Sequence, residues 1–97
     1  MNKWLMYVVR CADGSLYAGI TKSLKRRVLE HNYGTRGAKY TRSRRPVEVV
    51  YEEECNNHSD ALKKEWAFKK LSKIKKELKI ENYLWWLRES QYKNKNN

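Results

Sequence analysis

The sequence predicts an α+β fold: a small, three-stranded, mostly antiparallel sheet flanked by helices. Three observations carry this. Two apolar runs, Trp4 to Cys11 and Leu16 to Ile20, flank the turn Ala12-Asp13-Gly14 and read as a hairpin. A third strand pattern, Val47 to Glu53, follows Pro46; it puts Val47, Val49 and Tyr51 on one face and Glu48, Val50 and Glu52 on the other. Helical patterns fill the remainder, giving the order β-β-α-β-α-α.

Thr21 or Ser23 can cap a first helix running to about His31, with Leu24, Arg27, Val28 and His31 on one face. Asn32 to Pro46 reads as a loop. It contains Gly34 and Gly37, the cations Arg36, Lys39, Arg42, Arg44 and Arg45, and Tyr33 and Tyr40 among those charges. Asn56, Asn57 and Ser59 offer caps for a second helix, from about Asp60 to Leu71. A further helical stretch is expected from Ile74 through Leu78, and a short last helix, Tyr83 to Leu87, over the core. The 97 residues leave room for one domain. We expect it to span residues 1–88, with 89–97 a polar, flexible tail.

Charge narrows the function. The chain carries 22 Lys and Arg against 11 Asp and Glu, a net +11. Such a field favours polyanions, nucleic acid first and an anionic membrane surface second. The membrane reading needs a long amphipathic helix, and the apolar face available between Lys69 and Lys79 is only Leu71, Ile74 and Leu78. No apolar run approaches the ~18 residues a membrane span needs. Cys11 and Cys55 have neither CxxC nor zinc-finger spacing and read as buried thiols. A reducing, cytoplasmic location and a monomer are expected.

The hairpin loop decides where two tyrosines point. A two-residue loop at Asp13-Gly14 would put Tyr7 and Tyr17 on opposite faces. A three-residue loop, Ala12-Asp13-Gly14, places Gly14 at the left-handed position of a type I turn plus bulge. Tyr7 then opposes Gly19, Tyr17 opposes Val9, and both rings share one face. This register is preferred. On the first helix Arg27 and His31 project side by side from the face that should dock on the sheet. An arginine there either meets an acid or an anionic ligand, or packs its stem while its head reaches water. On the second helix, stepping 100° per residue from Ala61 puts Leu62 at about 100°, Trp66 at about 140°, Phe68 at about 340° and Glu65 at about 40°, inside the apolar arc. A carboxylate there needs a cation: Lys69 one turn on, Arg27, or a divalent metal.

Taken together, these residues resemble the GIY-YIG nuclease superfamily. Leu5-Met6-Tyr7 stands where the first motif has Gly-Ile-Tyr, and Tyr17-Ala18-Gly19 stands for Tyr-Ile-Gly. Arg27 follows ten residues after Tyr17, then His31-Asn32. The run from Gly37 to Val47 is similar to small stand-alone bacterial members of the YhbQ/YazA type, and Ala61 to Glu65 to the family's acidic helix. The resemblance covers about residues 4 to 80.

It implies phosphodiester hydrolysis of DNA, in repair or processing, with one Mg²⁺ or Mn²⁺ ion. Tyr7 would activate the attacking water with His31 relaying the proton. Tyr17 would position the phosphate or that water, Arg27 would neutralise developing charge, and Glu65 would hold the metal. A tyrosine base is unusual because its free pKa is about 10; nearby cations are expected to lower it. Gly19, Arg26, Arg36, Lys39, Tyr40, Arg42, Arg44 and Arg45 are the expected nucleic-acid contacts, the cations following phosphates and Tyr40 stacking on an unpaired base. A structure-directed or single-strand-directed activity is expected. The rival reading keeps the fold as a non-catalytic nucleic-acid-binding module.

Overall fold

In the computed structural model of the chain, which describes residues 3–34, 36 and 38–95 and side chains through 91, the register of the sheet is set at Ala12-Asp13-Gly14. Cys11 N–H donates to the Ser15 carbonyl (2.8 Å) and Gly14 N–H to the Cys11 carbonyl (2.9 Å), with Gly14 at φ +85°. Asp13 accepts from the Ser15 backbone (3.0 Å) and hydroxyl (2.5 Å), which locks the turn. The left-handed φ is why glycine stands there. The three-residue loop therefore pairs β1 (Trp4–Arg10) with β2 (Leu16–Thr21) so that Tyr7 faces Gly19 and Val9 faces Tyr17.

Strand β1 is central. It lies antiparallel to β2 on one side and to β3 (Glu48–Cys55) on the other, in the order β2-β1-β3. The expected alternation along the third strand breaks at Val50. Val8 pairs with Tyr51 but Val9 with Val49, so Val50 is the extra residue of a bulge. The bulge flips the strand. Val47 and Val49 join Tyr7, Val9, Cys11, Tyr17 and Leu24 on one face of the sheet, while Val50, Tyr51 and Cys55 join Met6, Val8 and Ala18 on the other.

Each face has its own helices. The first carries α1 (Leu24–Tyr33), two residues longer than expected. Thr21 supports its start indirectly, accepting from Ser23 N–H (3.1 Å), while Ser23 occupies the cap position without a side-chain bond. Asn32 pins the start of β3, donating to the Val47 carbonyl (3.1 Å) and accepting from Val47 N–H (2.7 Å). The stretch expected to be wholly loop contains a four-residue helix, α2 (Lys39–Arg42), started at Ala38, whose carbonyl accepts from Thr41 and Arg42 N–H (3.0 and 3.1 Å). Gly37, noted in that stretch, lies outside the described residues.

The second face carries α3 (His58–Lys70) and α4 (Lys73–Lys95). Of the three expected caps, Asn57 is used: it accepts from Asp60 N–H (2.8 Å), while the Asp60 carboxylate accepts from Asn56 N–H one residue before the cap (2.8 Å). The phase of α3 differs from expectation. Ala61 and Phe68 are buried against the sheet, but Leu62 and Trp66 face solvent at 44 % and 65 % exposure. The core arc is narrower than the apolar residues suggest, because α4 joins the sheet beside α3 and supplies Ile80 and Tyr83 instead. The separate stretches expected at 74–78 and 83–87 are parts of one helix. No glycine or proline interrupts Lys73–Lys95, so the polar residues between the apolar groups make a solvated face and not a break. The helix runs into the segment expected to be a flexible tail; Asn96 and Asn97 lie outside the described residues. A bidentate ion pair, Arg10 to Glu77 (3.0 and 2.6 Å), fastens α4 to the hairpin.

The phase of α3 can be checked by stability. Ala61→Leu should overpack the core and cost about 1–3 kcal/mol, lowering the melting temperature by several degrees. Leu62→Ala should change stability by less than ~1 kcal/mol. The opposite ranking in thermal melts would restore the broader arc.

Candidate active site

On the α1 face of the sheet, Tyr7 and Tyr17 stand diagonally, as the hairpin register dictates. Across from Tyr7 sits Gly19, and the reason is space: a Cβ there would fall 2.7 Å from the Tyr7 hydroxyl oxygen. Gly19, expected among the nucleic-acid contacts, is buried, and its place in the structure is to let the Tyr7 ring pass. The Tyr7 hydroxyl meets His31 Nε2 at 2.8 Å. The other ring nitrogen, Nδ1, lies 2.8 Å from Thr41 Oγ1, and the Thr41 hydroxyl donates to the Ala38 carbonyl at 3.0 Å. Tyr7, His31 and Thr41 are at most 1 % exposed. Tyr17 meets the His31 ring edge-on, with ring centroids 5.3 Å apart, and stacks on Tyr40 of α2 with centroids 6.1 Å apart.

Burial sets the protonation states. It pushes the Tyr7 phenol up to about 12; the nearby Arg27 cation pulls the other way but loses. The expectation that cations would lower this tyrosine is thus reversed, because removing a phenolate from water costs more than one arginine returns. Burial, followed by the charge of Arg27, pushes His31 down to about 4, so it is a neutral imidazole at pH 7.

Arg27 has the acidic partner its position demanded. It donates to Glu30 Oε1 (3.0 Å) and to the Arg36 carbonyl (2.8 Å), with about a quarter of its side chain exposed. Arg27 and then Arg26, at 4.0 Å, hold the Glu30 carboxyl below the usual carboxylate range. Glu65 approaches from α3 with its side chain 20 % exposed and forms the Lys69 ion pair at 3.4 Å. It is also close enough to Tyr7 for its charge to oppose ionisation of the phenol. Among the described residues no group of three His, Cys, Asp or Glu could hold a metal. One hard carboxylate is nevertheless a donor that suits Mg²⁺ or Mn²⁺ when a phosphate and waters complete the shell.

The basic segment divides into outward and inward members. Arg36, Lys39, Tyr40 and Arg42 are exposed on or beside α2, and Arg26 is exposed on α1. Arg44 stacks on Tyr40 at 3.9 Å and is tied to Asp13 (3.1 Å) and the Tyr40 carbonyl (2.8 Å). Arg45, expected to bind phosphate, turns inward. Its Nε donates to the His31 carbonyl (2.5 Å) and its Nη2 to the carbonyls of Gly34 and Glu30. It satisfies the open carbonyls at the end of α1, where a cation also suits the helix dipole. Between the β2 edge and α3 a cavity of about 220 Å³ opens, lined by Tyr17, Ala18, Tyr40, Phe68, Lys69 and Lys76.

Reasoning from sequence missed Thr41, Glu30 and Asn32 as parts of this site. Glu30 was findable, three residues from Arg27 on the same helix. Thr41 was not, since nothing in a basic, tyrosine-bearing segment marks one hydroxyl as inward-facing.

Comparison with known proteins places this arrangement. The GIY-YIG catalytic domain matches residues 3–79, and the chain belongs to that family. Within it, the similarity runs to the UPF0213 proteins. One from Desulfotalea psychrophila is 55 % identical over 73 residues, 75 % of this chain and 66 % of that protein, so the chain spans just under two thirds of that relative's length. One from Staphylococcus saprophyticus is 49 % identical over 78 % of this chain and 92 % of its own length. The UPF0213 protein YazA of Bacillus subtilis is 50 % identical over 82 % of this chain and 80 % of its own. A solution NMR structure of the E. faecalis protein EF2693 matches with a TM-score of 0.53 at 47 % identity, covering 80 % of this chain and 82 % of that one. The three-stranded antiparallel α+β fold is thereby shared with a solved relative. No helix among the described residues is long and apolar enough to cross a membrane.

Two outcomes follow from the geometry. His31 binds its proton far less readily folded than unfolded, so stability should be present above pH 6.5 and fall as pH drops from 6.5 toward 4, by up to about 3 kcal/mol. Thermal melts across that range check it, and His31→Gln should flatten the part between pH 6.5 and 5, above the carboxylate titrations. Gly19→Ala should displace the Tyr7 ring and cost about 1–3 kcal/mol. A melting temperature equal to that of the unsubstituted protein would show that the ring can give way.

Proposed function

We propose that the protein is a divalent-metal-dependent endonuclease that hydrolyses phosphodiester bonds in DNA, in repair or processing. The observation that supports this best is the buried Tyr7–His31 hydrogen bond lying beside Arg27 and within electrostatic reach of Glu65. A buried phenol near 12 is a poor base alone. Coupled to a neutral imidazole at 2.8 Å, it can take a proton from water while passing its own to Nε2. The water oxygen bonds to phosphorus, the bond to the leaving sugar oxygen breaks, and that oxygen is protonated from solvent. Arg27, a quarter exposed beside the site, can turn from Glu30 to a phosphate, and the arriving negative charge would offset part of the Arg27 repulsion that adds to burial in keeping His31 neutral. Glu65 would hold one Mg²⁺ or Mn²⁺, which when bound stabilises charge on the phosphoryl and leaving oxygens.

The substrate reading rests on the basic surface. Lys39, Arg36, Arg42 and Arg26 can follow a backbone, while Tyr40, flanked by Tyr17 and Arg44 at the cavity that Lys69 and Lys76 line, would stack on an unpaired base by exchanging one of those two neighbours for it. This favours a structure-directed or single-strand-directed enzyme with little sequence readout. We take it to act as a monomeric cytoplasmic domain over residues 1–88.

The experiment is a panel of labelled single strands, flaps, junctions and duplexes incubated with and without Mg²⁺ or Mn²⁺. Cleavage only with metal is expected. Tight binding without cleavage under any metal would leave the non-catalytic module. Glu65→Gln should lower cleavage at least ~100-fold. Its stability should change by less than ~1 kcal/mol, because Lys69 is 56 % exposed and stays hydrated without its partner. A variant that cuts at the full rate would remove Glu65 as the metal ligand. Binding should weaken with salt, by about −0.9 in the log–log slope per phosphate contact on duplex or −0.7 on single strands; a flat response would remove the phosphate-tracking role of the basic surface.

A further inference from the structure

Thr41 is the one side chain of the short helix α2 that faces inward, fully buried, while its neighbours Lys39, Tyr40 and Arg42 are exposed. Its position completes a chain of single protons. The group 2.8 Å from the Tyr7 hydroxyl is His31 Nε2. At the other end the Thr41 hydroxyl spends its proton on the Ala38 carbonyl at 3.0 Å. Its oxygen is left to accept from His31 Nδ1 at 2.8 Å. That makes the imidazole protonated at Nδ1 and bare at Nε2, so the Tyr7 hydroxyl is the donor in its bond to His31.

We propose that Thr41 is a positioning residue, holding His31 in the Nδ1–H tautomer so that Nε2 is open to the Tyr7 proton, and that it makes the placement of the basic segment a condition for turnover. The proposal rests on the endonuclease reading for its kinetic half. An imidazole in the other tautomer would point a donor at the Tyr7 oxygen in place of an acceptor. The relay would then have no place for the phenol proton. Because Thr41 shares one helical turn with exposed cations, a nucleic acid that orders α2 also fixes this contact. The surface that tracks the backbone and the base that cuts it are then one mechanical unit.

The test uses the full chain and Thr41→Val, Thr41→Ser and the unsubstituted protein. Long-range proton–nitrogen NMR spectra read which His31 nitrogen carries the proton, and steady-state cleavage of the best substrate in the panel reads kcat and KM. The expected result is a single Nδ1–H form in the unsubstituted protein. Thr41→Val should mix the tautomers and lower kcat about 10- to 100-fold, with KM and DNA binding within about twofold. Thr41→Ser, which keeps the hydroxyl, should restore both. An Nε2–H form in the unsubstituted protein overturns the proposal, as does a Thr41→Val protein whose tautomer, or whose kcat, is unchanged. If Thr41→Val fails to fold, the tautomers of the unsubstituted and Thr41→Ser proteins still decide. If no substrate is cut with either metal, the endonuclease reading fails while the tautomer spectra judge Thr41 separately.

Discussion

The hydrogen bond between the Tyr7 hydroxyl and His31 Nε2 is the constraint around which the domain is arranged. Two polar groups have been taken wholly out of water, and each can be satisfied only by the other and by what stands behind it. Gly19 must be a glycine so that the tyrosine can reach across β2. The hairpin must turn in three residues so that Gly19 is what Tyr7 meets. Helix α1 must present the face bearing His31, and α2 must form so that Thr41 backs the imidazole. Arg45 and Asn32 then hold the end of α1 against the segment leading into β3.

The other face of the sheet obeys a simpler rule. Met6, Val8, Ala18, Val50, Tyr51, Phe68 and Ile80 make an ordinary apolar core under α3 and α4, which anchors the polar face above it. The bulge at Val50 shifts the phase of the strand, leaving Val49 on the site side and turning both Val50 and Tyr51 to the core side. Glu65 belongs to the core helix α3, yet its charge acts on Tyr7.

The hairpin, its register and the shared face of Tyr7 and Tyr17 were legible in the residues, because a glycine at a left-handed turn position leaves one alternative; along β3 periodicity failed at the Val50 bulge, which turned Tyr51 to the other face. Tyr7, Tyr17 and His31 meet on the face that the hairpin register and helix α1 set, while the partner of Glu65, left open among Lys69, Arg27 and a metal, is Lys69 in the structure. What could not be read was contact made after folding. Arg45 looks no different from Arg42 in a row of cations, yet one satisfies backbone carbonyls and the other is exposed. Leu62 and Trp66 look like core residues because apolarity on α3 was taken as burial, whereas α4 had already claimed that part of the sheet. The direction of the Tyr7 shift was missed for a related reason: charges can be counted along a sequence, but the water a group has lost cannot.

Four of the eleven acidic residues, Glu48, Glu52, Glu53 and Glu54, lie on β3. That strand is the edge of the sheet farthest from β2 and the cavity beside Tyr17. Besides discouraging strand-to-strand association at an open edge, this gives a net-cationic molecule an electrical front and back. In the field of a polyanion it experiences a torque as well as an attraction, turning the rim of glutamates outward before contact is made. Encounters would then begin already oriented, and the strength of that orientation would fade as ions shorten the reach of the field to about 8 Å at physiological salt.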